Sequence, residues 1–118
     1  MDTQAFALPT LLGGTEALKR LATELRGARR AEFEDFNRRM GFARHNAYIQ
    51  KTPEGDMVIV YLEGADLPRS YQMLATSGHP FDRWFREQAK LVHGVDFSRP
   101  FPGPLPEVAF EGGGGSAE

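Results

Sequence analysis

The chain contains no cysteine. That removes disulfides, thiolate metal sites and cysteine nucleophiles together. Tryptophan occurs once and histidine three times, so imidazole chemistry has only His45, His79 and His93 to draw on. Neither sign of charge dominates: 14 basic against 16 acidic residues leave a formal net charge of −2, which argues against a general nucleic-acid binder. No run approaches the ~20 apolar residues of a membrane span. The opening MDTQAFALPT has neither the basic start nor the apolar run of a secretory signal. The expectation is a cytoplasmic protein with no membrane partner and no nucleic-acid partner.

What is present is ordinary for a globular domain. The 118 residues, 41% hydrophobic and 25% charged, can bury a core without a metal or disulfide staple. A single domain is expected over residues 1–110, with the glycine-rich 111–118 as a flexible tail or linker. Arg26, Arg29, Arg30, Arg38 and Arg39 cluster, but Glu24, Glu32, Glu34 and Asp35 interleave with them. Mixed charge of this kind reads as a solvated helix face.

Residues 4–8, QAFAL, read as a short strand. A helix then opens with Thr15 as its N-cap and Leu18, Leu21 and Leu25 at helical spacing. Gly27 interrupts the pattern, and Phe33, Phe36 and Met40 resume it up to Gly41. The spacing predicts one kinked helix or two abutting ones over about residues 14–40. ARHNAYIQKTPEGDMVIVYLEG follows and is a hairpin signal, with Pro53-Glu54-Gly55 as a three-residue loop. That loop pairs Thr52 with Asp56, Ile49 with Ile59, Ala47 with Tyr61 and His45 with Glu63. One sheet face then carries His45, Ala47, Ile49, Ile59, Tyr61 and Glu63, and the other Asn46, Tyr48, Val58, Val60 and Leu62.

Asp66 is placed to cap a short helix with Leu67, Tyr71 and Leu74 inward. A last helix starts at Pro80, with His79 at the N-cap or in the loop before it and Asp82 in its first turn. Phe81, Trp84, Phe85, Gln88, Ala89 and Val92 form its inward stripe, and Gly94 stops it. The tail is proline-rich and extended, and residues 106–110, PEVAF, are expected to add a last edge strand. The fold class is therefore α+β: a ferredoxin-like split β-α-β arrangement with a four-stranded antiparallel sheet. A sheet apolar on both faces needs a second cover, and the same sheet of another subunit is the simplest one. The expected assembly is a barrel-type homodimer closed through the sheet face.

Gly41, YIQKTPEGDMVIVYLEG, HPFDRWFREQ, HGVDF and PGPLPE cover most of residues 30–107. On these segments the chain resembles the dimeric α+β-barrel, ferredoxin-like superfamily, and within it a small uncharacterised bacterial family. The resemblance implies fold far more than function. In heme-degrading members of the superfamily a tryptophan and a histidine lie on the second helix and an asparagine on the first strand. Trp84 and His93 answer to the helix pair, but the first strand here offers Thr3 and Gln4 instead of an asparagine, and Asn46 lies on another strand. The plainer alternative makes Trp84 core and His93 a cation at the helix C-terminus.

His45 opposite Glu63 is the second candidate: a carboxylate orienting an imidazole makes a general base of raised pKa, with Tyr61 and Tyr48 as neighbouring phenols. This suits isomerase- or cyclase-like acid–base chemistry without a cofactor. Its plainer alternative is a polar cross-strand pair, worth at most about 1 kcal/mol. His79 with the other histidines has no metal-ligand spacing, and no metal is expected. Gly13-Gly14 reads as a turn, and DMVIVYLE lacks the exposed aromatic, basic motif of an RNA-recognition strand. The expected function is binding of a small, mostly apolar organic molecule between sheet and helices, with His45, Asn46, Tyr48, Tyr61, Glu63 and Trp84 as candidate lining. Heme binding through His93 and a non-catalytic dimerising domain are the alternatives.

Overall fold

The computed structural model describes residues 1–101 and 103–115. In chain order it comprises β1 (Asp2–Pro9), α1 (Gly14–Arg26), α2 (Arg30–Met40), β2 (Phe42–Thr52), β3 (Gly55–Gly64), α3 (Leu67–Thr76) and α4 (Pro80–His93). The strands form an antiparallel sheet of three, ordered β1-β3-β2. This corrects the expected four-stranded sheet. Residues 106–110 form no strand, and what reaches β1 is the Gln4 side-chain amide donating to the Pro106 carbonyl at 3.1 Å. Prolines at 100, 102, 104 and 106 remove the N–H from every second residue of the approach, so the chain reaches the β1 edge with few donors for a ladder. Of the expected tail, residues 111–115 form no helix or strand, and 116–118 lie outside the described residues.

The helical segment before β2 is two abutting helices. α1 opens at Gly13, not at Thr15, whose hydroxyl is drawn instead to the Asp56 carboxylate. α2 ends on Gly41 at φ 80°, a left-handed turn that only glycine adopts without cost, and β2 starts at the next residue. Asp66 caps α3 by accepting from the Arg69 N–H, and His79 caps α4 by accepting from the Phe81 N–H. Gly94 ends α4 in the left-handed region.

The hairpin register differs from the expected one by one residue. Thr52 pairs with Gly55, Ile49 with Val58, Ala47 with Val60 and His45 with Leu62. The loop is therefore Pro53-Glu54, closed by the Thr52 hydroxyl, which donates to the Gly55 carbonyl and accepts from the Glu54 N–H. Gly55 is the first residue of β3 instead of the last of the loop. Period-two alternation is kept within each strand, but the two strands' faces combine differently. The helix side of the sheet carries Phe6, Leu8, His45, Ala47, Val58, Val60 and Leu62. The outer side carries Asn46, Tyr48, Ile59, Tyr61 and Glu63. A register shift between Phe42 and Arg44 inserts Ala43, so that Phe42 and His45 both lie on the helix side, with ring centroids 5.3 Å apart.

The core is built mainly from aromatic residues. Phe36, Met40, Phe42, Leu62, Leu67 and Phe81 are buried together, with Phe33, Trp84 and Phe85 packed around them. Asp82 is fully buried, beyond the helix-dipole role its position suggests. It accepts from the two terminal guanidinium nitrogens of Arg39 at 2.7 and 2.9 Å and from the Ser77 hydroxyl, tying α4 to α2.

Candidate functional site

The aromatic core fills one part of the space between sheet and helices. The rest is a cavity of about 470 Å³. Its floor is the helix side of the sheet, including Phe6, Val58 and Val60, and its walls come from α1, α3 and α4 through residues such as Leu21, Leu74 and Ala89. Phe97–Phe101 and Leu105 of the tail line it as well, with Phe101 edge-on to Phe6 at 5.4 Å. Dedicated small-molecule sites have this form: concave, mostly apolar, with few polar groups.

His45 lines the cavity from within a group of phenylalanines. Its ring lies 5.3–6.3 Å, centroid to centroid, from Phe33, Phe36, Phe42 and Phe85. That desolvation pulls its pKa down to about 4, so the imidazole is neutral near pH 7. Nδ1 lies 3.0 Å from Oδ1 of Asn37 on α2. A neutral imidazole meets an amide oxygen with its N–H, which places the proton on Nδ1 and leaves the lone pair on Nε2. His93 lines the cavity too, with Nδ1 donating to the Pro9 carbonyl at 2.9 Å. Burial lowers its pKa, so it is a neutral tether from α4 to β1 and not a cation at a helix end. Tyr71 also borders the cavity; burial raises its pKa to about 12, and its hydroxyl has no partner among the described residues.

The remaining candidates do not join this set. Glu63 faces the outer side of the sheet, so it cannot orient His45. It accepts from the Tyr61 hydroxyl at 2.6 Å and lies 3.7 Å from the Arg44 guanidinium. That bond holds the Tyr61 phenol in its protonated form, with its pKa raised. Asn46 is opposite Tyr61 on the same outer face and donates to the Tyr48 hydroxyl at 3.3 Å. Trp84 packs on Phe81 with the Arg29 guanidinium 4.1 Å above its ring, and it does not line the cavity. Nine residues are two and a half turns at about 3.6 per turn, which sets Trp84 and His93 on opposite sides of α4.

Asn37, Tyr71 and the phenylalanine cage were not singled out as site residues. Asn37 did carry a signal: it is the polar position in the stripe Phe33, Phe36, Met40. Among the described residues no group of three or more histidine or acidic side chains could hold a metal ion, and no helix is long and apolar enough to cross a membrane. No family model, curated protein or solved structure matches the chain.

Proposed function

We propose that this protein binds a small, mostly apolar organic molecule in the cavity between sheet and helices, with His45 as its polar anchor. The observation that carries the reading is the cavity itself: about 470 Å³ beside a complete aromatic core. The space is a cleft open to solvent on one side, and apolar clefts of this size are the usual form of small-molecule sites, which argues for an occupant. Binding is favoured over proton abstraction. A general base works best with a pKa near the working pH, whereas His45 is held at about 4 and its orienting partner is an amide. The test is titration of the purified protein with aminoanthracene, a neutral fluorescent probe. Saturable binding to the wild type, lost when Ala47→Trp fills the cavity while the far-UV CD spectrum is kept, supports the reading. A folded wild type that takes up no probe removes it.

The same proposal includes two copies associating through the outer sheet face. Ala5 and Ala7 are exposed there, Ile59 and Tyr61 are half-buried, and Tyr48 is 54% exposed, with no helix or strand among the described residues covering them. Native mass spectrometry should give twice the chain mass, reduced to one chain by Ile59→Asp. A wild-type monomer at micromolar concentration refutes the pairing.

A further inference from the structure

The polar chemistry of the cavity narrows what it can accept, provided the small-molecule reading above holds. The Nδ1 side of the His45 ring is turned to α2, none of whose residues lines the cavity. Nε2 has no hydrogen-bond partner among the described residues. It is not sealed off either, because the one closed-off side-chain polar atom without a partner among them is the Tyr71 hydroxyl. The open edge of His45 therefore presents a lone pair to the cavity. Among the described residues the lining holds no aspartate, glutamate or lysine. The one formal charge among those residues is Arg99, which is 81% exposed and lies 3.5 Å from Asp96.

We infer that the occupant is a neutral, ring-sized organic molecule carrying an O–H or N–H group that donates to Nε2 of His45. An organic cation would find no carboxylate in the lining. An organic anion would meet the lone pair of Nε2, while Arg99 is largely in solvent and already beside Asp96; a charge left unpaired beside His45 is strongly disfavoured. A cavity of ~150 Å³ holds a benzene; the 470 Å³ here is about three times that, which suits two or three fused rings. Asn37 is a positioning residue in this scheme: by accepting a hydrogen bond from Nδ1–H it fixes the tautomer that keeps Nε2 an acceptor.

Naphthalene, naphthol and naphthoate share one ring system and differ in the group offered to His45. Calorimetric titration of the wild type should rank naphthol above naphthalene by about fivefold, the value of one net hydrogen bond, with naphthoate weakest. His45→Leu should bring naphthol and naphthalene to equal affinity. The wild-type imidazole nitrogen NMR spectrum gives a second readout that needs no variant: naphthol should shift the Nε2 resonance of His45, and naphthalene should not. Equal binding of naphthol and naphthalene by the wild type, a preference that survives His45→Leu, or an unmoved Nε2 resonance overturns the donor assignment and leaves the apolar cavity standing. Failure of all three probes to bind overturns the small-molecule reading beneath it.

Discussion

Stability between pH 7 and pH 4 should depend on His45. In the unfolded chain an ordinary histidine takes up its proton near pH 6.5, whereas the folded chain delays that uptake to about pH 4. Between those values the unfolded state binds more protons, so stability rises with pH across the window and is lost as pH falls. At pH 5 the unfolded imidazole is about 1.5 units below its pKa while the folded one is still neutral. At about 1.4 kcal/mol per unit the loss is about 2 kcal/mol, an upper figure because the cavity lets water reach the ring. The groups packed on His45 are Asn37 and four phenylalanines, none of which titrates here. Asp35, Asp56, Asp82 and Asp96 all have pKa values lowered below 3.8, so their contributions are lost only beneath this window. His93 is lowered too and acts in the same direction, which makes subtraction necessary. Urea unfolding followed by Trp84 fluorescence, at pH 7 and pH 5, on wild type and His45→Leu supplies it. The wild type should lose up to about 2 kcal/mol more than the variant. Equal losses would show that the phenylalanine cage does not desolvate the imidazole as argued.

Three further substitutions test the frame around the site. Asp82→Asn should lower stability by about 3 kcal/mol in urea unfolding, because Arg39 keeps only Asp35 as a charged partner; a loss under about 1 kcal/mol would rank the pair with surface ion pairs. Gly14→Ala should cost about 2 kcal/mol by thermal melting, since its Cβ would stand 2.3 Å from the Val92 carbonyl oxygen and push α1 from α4. Gly78→Ala, with nothing within 4 Å, is the control and should lose little or nothing. Tyr71→Phe should leave stability unchanged or raise it by up to about 1 kcal/mol, because the hydroxyl it removes is buried without a partner; a clear loss would show that the phenol is bonded after all.

Much of the fold was legible because local rules agreed with one another. Apolar spacing and end residues placed both late helices: Asp66 and His79 serve as caps and Gly94 as a stop. Gly27 divided the first helical segment as its low helix propensity suggests. The failures came where a choice depended on contacts distant in sequence. Thr15 has the right chemistry for an N-cap, but Asp56 takes its hydroxyl from across the sheet. PEVAF suited an edge strand with proline at its start, but a strand needs a neighbour with matching donors, and the prolines before it arrive without them. Asp82 looked like a dipole partner because its real partner, Arg39, is 43 residues away.

The hairpin slip decided the reading of the site. Alternation within β2 and β3 was correct, and the loop length alone determined which sets shared a face. A three-residue loop pairs His45 with Glu63 and suggests an activated base. The two-residue loop Pro53-Glu54 turns Glu63 outward to Tyr61 and Arg44 and sets His45 among phenylalanines. The same imidazole thus passes from a setting that raises its pKa to one that lowers it. It also changes from a group suited to removing protons to one suited to receiving a hydrogen bond. The carboxylate does not disappear from the chemistry of the chain; it moves to the outer sheet face, where with Tyr61, Arg44 and Asn46 it forms a polar margin beside Ala5, Ala7 and Ile59. One residue of register therefore separates the cavity on the helix side from the polar margin on the outer face.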